Sequence, residues 1–225
     1  MIQVYILRAI AMLFIIPAHE AAHAFVSYKL GDPTAKNYGR MTLNPMAHFD
    51  PWGALCMIVA GFGWAKPVPA DVRRFKNPKR DMAISAAAGP LCNLLLAYIA
   101  MILFKLSLNL LIYLELGANP KAEVATAVSY FTMFFSVFIQ LNLSLAIFNL
   151  IPIPPFDGSR ILLLFLPQKL YFGVMKYERY LALLILVLVF TNVLDMPLSA
   201  INNGVYKLFD IATSFVPGIA SRLTV

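Results

Sequence analysis

Residues 2–23 read IQVYILRAIAMLFIIPAHEAAH, an apolar run that ends in a pair of histidines. Only Gln3 and Arg8 interrupt the apolar residues up to Ala18. Because a helix rises about 1.5 Å per residue, this run would measure about 25 Å, which approaches the roughly 30 Å of a bilayer's hydrocarbon core. The stretch therefore predicts a long helix that carries polar side chains into the membrane.

The polar end of this run has the spacing of a metal site. His19 and His23 are four positions apart and share one helix face, so both imidazoles can reach one ion while Glu20 stands beside them. In zinc hydrolases with this pattern two histidines hold zinc and the adjacent glutamate takes a proton from water. Matches this short also arise by chance. Ionisable groups inside a membrane are costly and usually functional, which favours the metal site.

The composition predicts a polytopic membrane protein. Of the 225 residues, 60% are hydrophobic and only 13% are charged, whereas soluble domains carry about 25% charge. The N-terminal run fits a cleavable signal peptide poorly, since it is long and lacks a small-residue cleavage site. The net charge of +7 reflects bases that cluster beside apolar segments. Topology and anionic lipid headgroups explain these bases better than a nucleic-acid partner does.

We interpret residues 1–225 as one all-α, membrane-embedded domain with a three-helix core and a further C-terminal span. Its segments are a first helix over 1–30, a surface or re-entrant region with a basic loop over 31–80, core helices over 82–104 and 124–158, and a C-terminal region over 159–225. We expect a loop over 105–123 on the outer side, a fourth span over 181–194 that can extend upstream through Tyr177, and an amphipathic surface helix over 201–216. The lysines and arginines of 66–80 predict that this loop is cytoplasmic.

Three smaller features have more than one interpretation. Residues 38–43 fit a short strand or hairpin whose edge could pair with an extended peptide, and an ordered surface loop equally well. Residues 52–65 are too short an apolar run to span comfortably, so a re-entrant or interfacial segment is favoured. Cys56 and Cys92 lie in apolar stretches without metal-site spacing, and we interpret them as small buried hydrophobic residues rather than as a disulfide or zinc ligands.

A catalytic zinc site needs a third protein ligand besides His19 and His23. Asp157 follows a proline-broken stretch in which non-helical backbone must line a cavity or be covered by protein, and this favours it as the ligand. Asp32 fits a turn or cap, and His48 and Asp50 fit loop stabilisation. The remaining acidic candidates are Asp71, Asp81, Glu115 and Glu123, of which the last two are expected on the far side.

Three motifs in order resemble the signatures of the site-2 proteases, the intramembrane zinc metalloproteases of peptidase family M50. They are His19-Glu-Ala-Ala-His23, Gly89-Pro-Leu-Cys-Asn93 and Asn149-Leu-Ile-Pro-Ile-Pro-Pro-Phe-Asp157-Gly158. Shorter matches at 43–45, 48–51 and 63–69 resemble the compact prokaryotic branch of the family. The resemblance covers roughly residues 16–165.

This resemblance implies a set of roles. His19, His23 and Asp157 would bind one Zn²⁺ per chain, and Glu20 would be the catalytic base. Asn149 would hold the substrate backbone or the developing oxyanion.

Asn93 would belong to the core of the site and contribute to substrate binding. From the residues alone, a simpler role for Asn93 as a polar contact between helices is equally open.

The expected activity is hydrolysis of peptide bonds within or near transmembrane segments, that is, regulated intramembrane proteolysis. The expected partners are transmembrane protein substrates and the lipid bilayer. The expected location is a prokaryotic inner membrane, with the active site toward the cytoplasm.

Two other function classes fit some of the same residues. A membrane metal-ion transporter or channel would explain intramembrane His, Asp and Asn, but gives no reason for a glutamate directly after the first histidine. A proteolytically silent scaffold with structural zinc would be expected to use four protein ligands, preferably cysteines.

Overall fold

The protein is described by a computed structural model that covers residues 2–53, 65–117, 122–167, 170, 173–174 and 176–216. Throughout this part of the chain the regular structure is helical and contains no strand. The helices are α1 (Ile2–Lys29), α2 (Thr34–Asn37), α3 (Pro45–His48), α4 (Pro78–Gly117), α5 (Ala122–Asn149), α6 (Asp157–Leu163), α7 (Glu178–Phe190) and α8 (Asp195–Ala212), with a 3₁₀ turn at Val72–Arg74. The predicted all-α fold is confirmed.

Three helices, α1, α4 and α5, are long and apolar enough to cross a membrane. They form the predicted three-helix core, in which α4 contacts both α1 and α5. Where α4 meets α5, two of the three buried residues of α4 are alanines and the three of α5 are larger, so the α5 side chains can pack closely against the α4 helix. The buried cluster consists of Ala97, Ala100, Met101, Ile139, Leu143 and Ile147.

The predicted loop over 105–123 is wrong, because α4 continues through Lys105 to Gly117. The only lysine in this part of the helix is neutralised within the protein. The Lys105 ammonium lies 2.8 Å from the Asp210 carboxylate and also donates to the Asp210 carbonyl at 2.7 Å. Because its charge is paired with a distant aspartate, Lys105 can lie within a continuous helix, and the helix does not have to end before it.

Residues 38–43 form a loop between α2 and α3, and the strand or hairpin interpretation is wrong. Side chains here donate the hydrogen bonds to backbone carbonyls that a neighbouring strand would otherwise provide. Arg40 donates to the Ala47 carbonyl, and His48 Nε2 donates to the Thr42 carbonyl at 2.9 Å. Most of the predicted re-entrant segment, residues 54–64 with Cys56, lies outside the described residues.

The C-terminal helix α7, Glu178–Phe190, begins within the upstream extension that we expected and ends four residues before Leu194. Helix α7 has 13 residues, or about 20 Å, which is too short to cross a bilayer by itself. The chain then bends by 84° into α8, and the bent pair would count as a fourth span only if it is taken together.

The predicted surface helix is α8, which begins at Asp195 rather than at residue 201. Its apolar side chains Leu198, Val205, Tyr206 and Phe209 pack on the core cluster. The apolar face therefore meets protein rather than only the lipid surface.

Candidate metal centre

The two histidines of α1 point their Nε2 atoms at one spot. These two nitrogens lie 3.0 Å apart, and the rings meet edge to face. His19 is buried, with 5% of its surface exposed. Two imidazole nitrogens this close repel unless a proton or a cation lies between them, so the pair is suited to bind a positive ion.

Gly89 on α4 lies directly against both histidine rings, at a position where a side chain would collide with them. A Cβ atom at this position would lie 2.6 Å from His19 Nε2 and would also overlap His23 Nε2. In the sequence Gly89 stands out only as the first residue of the second motif, which does not identify the imidazoles as what it contacts.

Substitution of Gly89 with alanine is expected to lower zinc affinity by about tenfold or more, a loss like that of an outer-shell partner. The added methyl group must push both rings away from their common point. The measurement is zinc binding by the purified variant in competition with a chelator.

Gly204→Ala in α8 is the matched control, because nothing lies within 4 Å of the added Cβ. Alanine is the better helix former, so this variant should fold at least as well as the parent. Unchanged zinc affinity in Gly89→Ala would contradict the close packing described above.

The third donor comes from the far end of the core. After α5 the prolines at 152, 154 and 155 prevent a continuous helix, and the chain turns so that α6 begins at Asp157. A Cβ at Gly158 would lie 2.7 Å from the Ile151 carbonyl oxygen, so only glycine allows this turn to close. Asp157 Oδ2 consequently lies 3.3 Å from His19 Nε2 and 3.2 Å from His23 Nε2.

The three donor atoms fit a zinc ion. Zinc–ligand distances near 2.1 Å in a tetrahedral site put neighbouring donor atoms about 3.4 Å apart. The three separations here are 3.0, 3.2 and 3.3 Å. Within the described part of the chain, no other group of three His, Cys, Asp or Glu side chains has donor atoms this close together. Three protein donors leave a fourth position for water or substrate, as in catalytic zinc sites.

The two histidines favour the charged form of the carboxylate at this centre. Burial raises the pKa of Asp157, but contact with the His19 and His23 rings lowers it by more, so that the net pKa lies below its usual range. A carboxylate held in its charged form is the form that binds a divalent cation.

Polar groups of α4 contact the outer nitrogens of both rings. His23 Nδ1 donates to the Ser85 carbonyl at 2.7 Å, and the Ser85 hydroxyl lies 2.6 Å from that of Ser27. On the other ring, His19 Nδ1 lies 3.2 Å from Asn93 Nδ2. Sequence reasoning missed Ser85. Its spacing of four from Gly89, and of eight from Asn93, was the available signal.

The structure locates the other predicted site residues as follows. Glu20 follows His19 on α1 and is half-buried. Asn149 is the last residue of α5, where its Nδ2 donates to the Leu145 carbonyl at 3.0 Å. Asn93 is fully buried. Its amide contacts His19, and its role in substrate binding stays a prediction.

The other candidate ligands are occupied elsewhere. Asp32 is buried and accepts from the backbone N–H of Thr34 and of Asp71. His48 is bonded to the Thr42 carbonyl and Asp50 accepts from the Gly53 N–H at 2.8 Å.

Two further aspartates have structural partners. Asp71 accepts from Arg73, which lowers the pKa of its carboxyl to about 2, and Asp81 accepts from the Asn77 N–H and from Arg80. Glu123 is exposed in the first turn of α5, and the Glu115 side chain lies outside what the structure describes. Cys92 is half-buried, with its Sγ 3.6 Å from the Ala18 carbonyl oxygen.

Comparison with known proteins supports the same chemistry. The model for peptidase family M50 matches residues 7–194. The Bacillus subtilis protein named "Putative zinc metalloprotease YwhC" is 42% identical over 195 residues, covering 85% of each chain. The Mycolicibacterium smegmatis protein named "Putative zinc metalloprotease Rip2" is 27% identical over 230 residues, covering 99% of this chain and 81% of that protein. No solved structure matches the chain.

Proposed function

We propose that this chain, which belongs to peptidase family M50 and is a membrane zinc metalloprotease, acts on other membrane proteins. It cleaves its substrates within or beside their transmembrane segments. The observation that carries this proposal is the convergence of His19, His23 and Asp157 on one point inside a bundle of membrane-length helices. A protease of water-soluble proteins would not need its catalytic helix to be embedded.

We propose that His19, His23 and Asp157 are the protein ligands of one zinc ion. Zinc in such a site supplies Lewis-acid activation of water and of the scissile carbonyl group. Glu20 accepts the proton of the attacking water and delivers it to the leaving amine.

Asn149 is proposed to bind the substrate carbonyl oxygen. One of its two amide hydrogens goes to the Leu145 carbonyl, which leaves the second free to donate to the oxygen that gains negative charge.

The site is expected to open toward the cytoplasm. His23 is six residues before the end of α1 at Lys29, so it lies about 9 Å from that end of the helix. His23 contacts Ser85 near the start of α4, which carries Lys79 and Arg80, and Arg160 of α6 contacts Met82 there, so these bases lie at the same end of the bundle. Bases concentrate on the cytoplasmic side of membrane proteins, which in a prokaryote is the inner side of the cell membrane.

A transmembrane substrate must unwind before its peptide bond can react. Its carbonyl groups are bonded within the helix, and the membrane offers no water to replace those bonds. Residues 38–43 form no strand to hold the opened substrate, so the substrate's own helix-breaking residues are expected to matter more.

The test uses purified, zinc-loaded protein in vesicles with two single-span peptides that differ only in a Gly-Pro pair at mid-span. Wild-type protein should cut the Gly-Pro peptide faster, and mass spectrometry should locate the cut within or directly beside the span. Cleavage confined to the water-soluble tails would contradict the proposal, as would equal cleavage by the Glu20→Gln protein.

A further inference from the structure

We infer that Asn93 is a positioning residue, whose side-chain oxygen accepts a hydrogen bond from His19 Nδ1 and so holds the imidazole in the tautomer that can bind zinc. The inference rests on the proposed ligand role of His19. It differs from the substrate-binding role that the family resemblance implies for Asn93, which stays a separate prediction.

One face of α4 contacts both histidine rings. Ser85, Gly89 and Asn93 are spaced four apart and therefore lie along a single stripe of the helix. The Ser85 carbonyl accepts from His23 Nδ1, Gly89 lies against both Nε2 atoms, and Asn93 meets His19 Nδ1. Each outer nitrogen of the pair thus faces a polar group of the same helix.

The chemistry of a metal-binding imidazole fixes what that polar group must be. A neutral histidine that binds metal through Nε2 carries its proton on Nδ1, and this N–H needs an acceptor. His23 has one in the Ser85 carbonyl oxygen. For His19 the Asn93 amide is in the corresponding position.

The amide of Asn93 can supply this acceptor if it rotates by 180° about its last side-chain bond, which exchanges the positions of Oδ1 and Nδ2. Asn93 Nδ2 lies 3.2 Å from His19 Nδ1, and Asn93 Oδ1 is buried without a hydrogen-bond partner among the described residues. An N–H on His19 Nδ1 would face an NH₂ group, and two donors do not bond. The oxygen and nitrogen of an amide are nearly equal in shape, so the half-turn gives His19 an oxygen without disturbing the packing.

Burial makes this contact hard to replace. Asn93 has no exposed surface and His19 has 5%, so water cannot reach Nδ1 in place of the amide. Removing the oxygen would leave a buried N–H unpaired and favour the wrong tautomer, which weakens zinc binding.

The test measures the zinc dissociation constant of purified protein by competition with a chromophoric chelator. Asn93→Leu, which has a similar volume and no acceptor, should raise the constant by roughly 10- to 100-fold. Asn93→Asp keeps an oxygen at the position and should stay close to wild type, which a role as a polar helix contact alone does not predict. Asn142→Leu is the matched control, because Asn142 is as deeply buried on α5 but bonds the Phe138 carbonyl of its own helix.

Two results would overturn the inference. One is wild-type zinc affinity in Asn93→Leu, and the other is a loss in Asn93→Asp as large as in Asn93→Leu, because that would show that His19 needs the amide N–H. If Asn93→Leu does not fold, the comparison of Asn93→Asp with wild type decides the matter. His19→Ala tests the proposed zinc ligands, on which the inference about Asn93 rests. Unchanged zinc affinity in His19→Ala would refute the ligand role of His19 itself, whereas the two results above would refute only the role of Asn93.

Discussion

Replacing Glu20 with glutamine is expected to abolish proteolysis while zinc binding remains. Glutamine has the size of glutamate but cannot accept the proton of the attacking water. General-base catalysis contributes about 10²- to 10⁴-fold to rates, so cleavage should fall by at least about a hundredfold. Zinc content should not change, because Glu20 is absent from the converging donor set of His19, His23 and Asp157. The measurement pairs initial cleavage rates with metal analysis of the same preparation.

Glu123→Gln is the matched control for this loss. The same chemical change is made at an exposed glutamate in the first turn of α5, outside the converging donor set. Full activity in the control together with full activity in Glu20→Gln would remove Glu20 from its proposed role. Loss of zinc in Glu20→Gln would instead make it a ligand.

Replacing Asp157 with alanine is expected to remove both zinc and activity. The carboxylate is the one negative charge in contact with both Nε2 atoms, and its loss leaves two neutral donors. The fall in zinc affinity should exceed the roughly 10- to 100-fold that follows loss of an outer-shell partner. Metal content after dialysis and the zinc dissociation constant measure this effect.

Two further variants identify the cause of that loss. Asp157→Asn keeps the size of the side chain at the start of α6, so a loss of zinc there reflects the missing charge rather than a disturbed turn. Asp50→Ala removes a carboxylate that bonds the Gly53 N–H, and its zinc content should stay normal. A full complement of zinc in Asp157→Ala would show that the third ligand is elsewhere, with His48 and Asp50 the first to test.

Much of the fold followed from the sequence because the strongest signals are local. Apolar runs of membrane length predict α1, α4 and α5, and the spacing of four between His19 and His23 is a property of one helix. The proposal of Asp157 as a ligand was also local, since it came from the position of Asp157 after a stretch of prolines that could not continue a helix.

The features that sequence reasoning missed depend on distant partners. The extent of α4 depends on Lys105, whose charge is satisfied by Asp210 more than a hundred residues away. The loop over 38–43 depends on Arg40 and His48, which bond backbone carbonyls in place of a strand partner. The contacts of Ser85 and Asn93 with the histidine rings likewise follow from how α4 packs on α1. The spacing of four along Ser85, Gly89 and Asn93 shows that they share one helix face, but not what that face contacts.

The central claim is that α1 and the start of α6 together bind one catalytic zinc ion. Anomalous diffraction at the zinc edge, from crystals of the zinc-loaded protein, tests it most directly. The account predicts one peak within about 2.0–2.2 Å of His19 Nε2, His23 Nε2 and an Asp157 carboxylate oxygen. A peak bound by other side chains, or none between these three in zinc-loaded crystals, would contradict it.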